Sequence, residues 1–349
     1  MITPIKVFLV ENSPVALTIL QRILNSFPDI KVVGTAQNGI HALQQIPQLK
    51  PDVVCTDLLM EKMDGWEFTN NLMSEFPLPI LVISDLVTSQ DTQKIGQLLE
   101  AGVVDVFPKP KTGSSEDYEK QTNELAIKLK ILSGVRVFPK RNINLRRNQS
   151  HKLSDKTNST NYQIVAIGVS TGGPKAIQQI IAQLPADFPL PIVCTQHISI
   201  GFLNGLISWL SLETKLKVKI AEIGEQPLPG TFYYAPEHYH LEIDRRGKFA
   251  YLQSPTINSH RPSATIMFQS LARFYGDSVI AILLTGMGRD GVVGMQEIYQ
   301  CGGLTIAQDK DSSVIFGMPQ EAINLGVVKE VLSLEKIAPF LLKKTNYYS

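Results

Sequence analysis

Gly168-Val169-Ser170-Thr171-Gly172-Gly173-Pro174 follows the apolar run Ile164-Val165-Ala166-Ile167 and precedes the helix-like Lys175-Ala176-Ile177-Gln178-Gln179-Ile180-Ile181. An apolar run, a glycine-flanked turn and an amphipathic stretch spell a strand that turns into a helix. A serine on such a turn exposes its hydroxyl, and the N–H groups opening the next helix can receive an oxyanion. Glycine–serine turns after strands also bind phosphate, or simply turn the chain. The weight of this segment therefore depends on its company.

Downstream of Tyr162 the alternation continues, with strands expected at Ile164–Gly168, Ile192–Thr195, Lys217–Ala221, Thr231–Ala235, Val279–Thr285 and Gly303–Ala307. Upstream, residues 5–110 show the same rhythm, with strands expected at Lys6–Val10, Lys31–Gly34, Val53–Thr56, Ile80–Ile83 and Asp105–Phe107. Ala16, Leu20, Ile23 and Phe27 recur on one helical face behind the cap and first-turn signal Ser13-Pro14. A last helix of this half runs from Ser115 to about Ser133. Strands alternating with helices imply parallel sheets covered on both faces.

Between the halves, Pro139 to Asn161 loses all periodicity and carries Lys140, Arg141, Arg146, Arg147, Lys152 and Lys156 against the single acid Asp155. It reads as a flexible basic tether. The expected organisation is a domain over 1–136, a linker over 137–160 and a second domain over 161–349, since 349 residues exceed what one core usually serves.

With 44% apolar and 19% charged residues the chain has an ordinary globular composition. A net charge of +1 speaks against a dedicated nucleic-acid binder. No apolar run approaches the roughly 20 residues that span a bilayer, and the start lacks a secretion signal, so a cytoplasmic protein without membrane insertion is expected. Cys55, Cys194 and Cys301, in or next to apolar runs at no metal-like spacing, read as reduced core thiols.

Three chemically capable residues follow expected strands of the second half: Ser170, His197 after Pro191–Gln196, and Asp290 after Ile280–Thr285 and the loop Gly286-Met287-Gly288-Arg289. Open parallel sheets build ligand sites at strand carboxyl ends. A serine needs a base, and the base needs a carboxylate to fix its tautomer. Taken singly, His197 reads as a packed histidine and Asp290 as a cap; their joint placement favours catalysis. The order Ser, His, Asp is not that of an α/β-hydrolase. The glycines beside Met287 leave N–H groups free for an oxyanion. His260, Arg261 and Ser263 read as a cap and core motif opening a helix with Met267, Leu271 and Phe274 inward, and His238 with His240 lacks a third metal ligand.

The ordered set Gly168–Pro174, Gln196-His197-Ile198, Tyr234-Ala235-Pro236, His260-Arg261-Pro262-Ser263, Leu284–Gly291 and Phe316–Pro319 resembles the catalytic domain of chemotaxis-type protein-glutamate methylesterases. The resemblance implies a Rossmann-like serine hydrolase that removes methyl esters from glutamates on chemoreceptor helices, and many relatives also deamidate glutamines. By position, Ser170 is the nucleophile, His197 the base then acid, Asp290 the orienting carboxylate, Met287 an oxyanion N–H donor, and Thr171 a support of the serine turn. Ser199 departs from the proline that relatives often carry. The polar lead-in Ser159–Tyr162 departs as well.

Residues 5–110 resemble a flavodoxin-like response-regulator receiver. Asp57 matches the phospho-acceptor, and Ser84 and Lys109 match the residues that sense the phosphoryl group. Glu11-Asn12 stands where relatives usually carry two Asp; Asn12 replaces a direct Mg²⁺ ligand, so Mg²⁺ held by Glu11, Asn12 and Asp57 is expected to bind weakly. The resemblance further implies methyl-accepting chemoreceptors and a sensor histidine kinase as partners, and a resting receiver that packs over the serine site. The competing expectation is a signalling adaptor with a poorly phosphorylated receiver and a vestigial hydrolase.

Overall fold

The computed structural model describes residues 3–85, 92–110, 115–135, 137, 162–256 and 260–347. The tether expected over 137–160 lies outside them apart from residue 137. The first half alternates β1 (Ile5–Val10), α1 (Pro14–Asn25), β2 (Ile30–Ala36), α2 (Gly39–Leu49), β3 (Val53–Thr56), α3 (Gly65–Glu75), β4 (Ile80–Ser84), α4 (Thr92–Ala101), β5 (Asp105–Pro108) and α5 (Ser115–Leu132). Its sheet is parallel in the order β2-β1-β3-β4-β5, the flavodoxin-like winding. As the Ser13-Pro14 signal predicts, α1 starts there, with Ser13 Oγ accepting from Ala16 N at 3.3 Å. Every residue of β3 and β4 is buried, which fits their unbroken apolar sequences.

The second half begins with β6 (Ile164–Val169), α6 (Gly173–Ile181), β7 (Ile192–Gln196), α7 (Leu203–Glu213), β8 (Lys217–Ile220) and β9 (Thr231–Tyr234). A hairpin of β10 (His240–Ile243) and β11 (Phe249–Leu252) leads to α8 (Ala264–Tyr275), β12 (Val279–Leu283), α9 (Val292–Gln300) and β13 (Leu304–Gln308). The described part closes with α10 (Met318–Asn324), β14 (Glu330–Leu332) and α11 (Leu334–Lys344). The main sheet is parallel, in the order β14-β13-β12-β6-β7-β9-β8. From β6 the chain winds first to β7 and only later returns on its other side as β12. That reversal opens a crevice at the strand carboxyl ends, where the loops after β6, β7 and β12 carry Ser170, His197 and Asp290.

Three readings of the sequence need correction. The β10–β11 hairpin and β14 were not anticipated, because strands of three or four residues leave too short a pattern to recognise. Met267 and Leu271 are buried as expected, but Phe274 is 42% exposed because the last turn of α8 runs past the core and rests on the turn at Gly247. Cys55 and Cys194 are core thiols, whereas Cys301 is exposed at the end of α9. Among the described residues no helix is long and apolar enough to cross a membrane.

The two halves touch along α4 and β5 of the first and α7 and the β6 turn of the second. Gly96 of α4 lies against the Trp209 ring of α7, and Trp209 Nε1 donates to Glu100 Oε1 at 3.4 Å. Ser199 Oγ donates to the Val106 carbonyl of β5 at 3.2 Å. Ile315 of the second domain packs against a core cluster of the first.

Candidate active site

Gly172, at φ +80°, closes the turn after β6 in a conformation that side-chain-bearing residues rarely adopt. Its carbon also lies too near Val314 to carry a Cβ, which would fall 2.7 Å from the valine's own. The turn is tied from all sides. Ser170 N donates to the Thr285 carbonyl at 3.0 Å, and Gln196 Nε2 donates to the carbonyls of Ser170 and His197 at 2.9 and 2.8 Å. Thr285 Oγ1 donates to the Thr171 carbonyl at 3.0 Å. Thr171, expected to support the serine turn, is tied into it through its carbonyl, while its hydroxyl points away. It donates across the domain boundary to Asp105 Oδ2 at 2.9 Å, and the same oxygen takes Lys128 Nζ at 2.6 Å.

His197 Nε2 lies 2.8 Å from Asp290 Oδ2. Asp290 is 1% exposed and collects further donors: Ser263 Oγ at 2.6 Å, Ala264 N at 2.7 Å and Thr265 N at 3.1 Å. Burial alone would raise its carboxyl, but the hydrogen bond and charge of His197 and the Ser263 and Ala264 donors prevail and hold it well below the usual carboxylate range. The carboxylate also sits at the N-terminus of α8, where the helix dipole favours negative charge. An ionised Asp290 puts the imidazole proton on Nε2 and leaves the Nδ1 lone pair free. Nδ1 is buried without a protein partner, so it is the ring nitrogen able to act as base. Resting hydroxyl–base contacts of this kind commonly tighten only with substrate bound.

The Met287 loop lies beside Ser170. A Cβ on Gly286 would fall 2.7 Å from Ser170 Cβ, so only glycine lets the two strand ends approach this closely. The Gly286 carbonyl accepts from Gly317 N and Met318 N at 3.1 and 2.8 Å, which fixes the loop to the start of α10. Among the described residues Met287 N finds no backbone or side-chain acceptor, leaving it available to an oxyanion.

Ser170, His197 and Asp290 stand on the loops after three adjacent strands, with His197 and Asp290 in direct contact, and the sequence did not mark the partner roles of Ser263, Thr285, Gln196 and Asp105. Ser263 occupies the N-cap position of α8 without making a side-chain cap; Asp290 makes the cap and Ser263 serves Asp290. The available signal was the polar His260–Ser263 run before an apolar helix face. His240 accepts from Ser263 N on Nδ1 at 3.1 Å and meets the Pro255 carbonyl through Nε2 at 3.2 Å, so its role is to anchor this run.

In the first domain Glu11 and Asp57 are buried at the ends of β1 and β3, and Lys109 Nζ reaches Glu11 Oε2 and Asp57 Oδ2, both at 2.8 Å. The other two carboxylate oxygens accept from Ser13 N at 3.0 Å and Leu58 N at 2.7 Å. Burial pushes the Glu11 carboxyl up against the lowering effect of Lys109. Burial also disfavours the Lys109 ammonium, but its bonds to Asp57 and Glu11 prevail and raise it. Ser84 is buried beside them and its carbonyl accepts from Lys109 N at 2.8 Å, while Asn12 is exposed. Among the described residues no group of three His, Cys, Asp or Glu stands ready for a metal. With each carboxylate oxygen already engaged and Asn12 turned to solvent, this arrangement does not fit a resident Mg²⁺ ion.

The model of the CheB methylesterase family matches residues 165–341, and that of the response regulator receiver domain matches residues 7–115. A protein-glutamate methylesterase/protein-glutamine glutaminase of Syntrophus aciditrophicus is 37% identical over 343 residues, covering 97% of this chain and 98% of that protein. One from Carboxydothermus hydrogenoformans is 41% identical over 338 residues, covering 95% and 97%. The crystal structure of the Thermotoga maritima CheB methylesterase catalytic domain is 41% identical, covers 52% of this chain and 98% of that one, and superposes with a TM-score of 0.51. Residues on the loops of three adjacent strands, inside a match of this extent, settle the relationship: the chain belongs to the CheB methylesterase family, in the form that carries a response regulator receiver domain.

Proposed function

We propose that this chain hydrolyses the methyl esters of protein glutamates through an acyl-enzyme on Ser170. The observation that carries the reading is the buried His197–Asp290 pair on the loops after β7 and β12, flanking the Ser170 turn after β6. Ser170 Oγ attacks the ester carbonyl while His197 Nδ1 takes its proton. The resulting oxyanion is received by Met287 N–H. His197 then returns the proton to the departing methanol, and water attacking by the same route frees the glutamate. Relatives named glutaminases support the same chemistry on an amide, with ammonia as the leaving group.

The natural substrate on this reading is a methylated chemoreceptor helix in the cytoplasm, and a sensor histidine kinase is the upstream partner through Asp57. The Thr171–Asp105 bond supports a receiver that restrains the serine turn while docked. Methanol release from a methylated receptor fragment tests the reading. The full chain should release methanol and Ser170→Ala should not, although it folds normally. Residual turnover in the variant would remove Ser170 as nucleophile, and silence from both would favour the adaptor reading.

A further inference from the structure

His260 has no part in the chemistry above, and its sequence reading was a cap. Its ring lies flat on that of His197, with centroids 3.8 Å apart and planes within 11°. Among the described residues it makes no side-chain hydrogen bond, so the stack is its principal polar-ring contact. Burial, with the neighbouring His197 adding to it, holds the His260 imidazole down at about 3. At neutral pH it is an uncharged face.

His197 needs such a face. Its Nε2 is held by Asp290, while Nδ1 is buried with no partner before substrate arrives. One hydrogen bond fixes a point on the ring but not its plane, and imidazole χ2 is a soft torsion. A second, flat contact removes that freedom. The segment supplying it is itself rigid: Ser263 Oγ, Ala264 N and Thr265 N clamp Asp290, and Ser263 N is anchored on His240. One short run thus holds both the carboxylate and the ring that the carboxylate orients.

We propose that His260 is a positioning residue for the esterase reaction, stacking on His197 to fix the plane in which Nε2 meets Asp290 and Nδ1 is presented to the nucleophile. The inference rests on the Ser170–His197–Asp290 reading above. Because the plane matters only for proton transfer, its loss lowers kcat and leaves substrate binding alone.

The test measures kcat and KM for methanol release by the full chain on a methylated receptor fragment. His260→Ala and His260→Leu should lower kcat by about 10- to 100-fold, the scale of a misplaced catalytic group, with KM changed less than about twofold. His260→Phe restores a flat face and should recover kcat to within about threefold of wild type. Leu offers bulk without flatness, so slow Leu and fast Phe together identify stacking rather than filling. Unchanged kcat in His260→Ala, a rise in KM alone, or a Phe variant as slow as Leu would overturn the proposal. Ser170→Ala run in parallel separates the two levels. Turnover surviving there overturns the hydrolase reading and this proposal with it, whereas turnover lost there but intact in His260→Ala overturns this proposal alone.

Discussion

Gly96→Ala is the sharpest probe of how the receiver holds the catalytic domain. A Cβ at position 96 would sit 2.5 Å from Cγ and Cδ1 of Trp209 and 2.7 Å from its Cβ, far inside ordinary contact. Trp209 is 5% exposed in α7, so it cannot swing aside as the tip of a surface lysine would. Position 96 lies inside α4 and carries no positive φ, so alanine suits the helix itself and favours it by up to about 1 kcal/mol. That gain is common to docked and undocked receiver and cancels between them. The collision exists only when α4 meets α7. Overpacking of this kind costs about 1–3 kcal/mol, which shifts the docking equilibrium by roughly 5- to 150-fold toward the open enzyme.

The expected result is faster basal methanol release by full-length Gly96→Ala than by wild type. Trp209→Ala should also accelerate release by deleting the partner surface, and adding Gly96→Ala to it should change little, since the space is then free. A double-mutant cycle therefore reads a large coupling between the two positions. Gly96→Ala turning over no faster than wild type, or additive effects in the cycle, would refute the claim that the α4–α7 contact governs access to Ser170. Ser199→Ala gives a smaller step on the same scale: losing its bond to the Val106 carbonyl removes about 1 kcal/mol of docking, or roughly fivefold.

Three other perturbations follow from the sites. Ser263→Ala withdraws a buried 2.6 Å donor from Asp290, so kcat should fall and the denaturation midpoint should drop by the equivalent of about 1.5–3 kcal/mol; an unchanged midpoint would mean that water replaces the hydroxyl. Mg²⁺ titrated calorimetrically into the wild-type chain should bind weakly, and Asn12→Asp, which adds a charge beside Glu11 and Asp57, should tighten it by more than about tenfold; equal affinities would show that Lys109 alone sets the site. His260 is depressed to about 3 in the fold and would titrate near 6.5 unfolded. In that window the unfolded chain binds the extra proton, so stability is full above about pH 6.5 and falls by up to about 1.4 kcal/mol per unit on acidification. Comparing denaturant midpoints at about pH 6 and about pH 4.5 should show a smaller loss in His260→Phe, and equal losses would mean that His260 already charges in the fold.

The parallel sheets were legible because buried strands such as Val53–Thr56 and Ile164–Val169 leave continuous apolar runs between turn residues. Ser170, His197 and Asp290 were legible as candidates because each follows such a run in the sequence. Partnerships made across space were not legible. Nothing local marks Asp105 as the acceptor of a hydroxyl 66 positions away, or Ser263 as a donor to a carboxylate 27 positions away. His260 looked like a helix opener because its stacking partner belongs to a different loop. Ser199 stood out as a departure from the family pattern, but its use, a bond to the receiver's backbone, depends on how two domains pack. Cys301 and Phe274 misled for the opposite reason: local apolar company promised burial that the end of a helix does not deliver.

The two buried carboxylates linked to the Ser170 and His197 loops are built for opposite purposes. Asp290 takes four donors, three of them from the run that opens α8, and all within one domain. Removing any one leaves a desolvated charge short of a partner, which is expensive, so the carboxylate that orients His197 stays where it is. Asp105 accepts from its own neighbour Val106 N at 2.8 Å and from Lys128, both within the receiver, and only Thr171 comes from across the boundary. When the receiver lifts away, Asp105 keeps its lysine and gains water, and no buried charge is stranded. A latch of that kind is worth about the 1–3 kcal/mol that signalling equilibria use, and because its atom on the second domain belongs to the residue after Ser170, releasing it frees the Ser170 turn from the receiver.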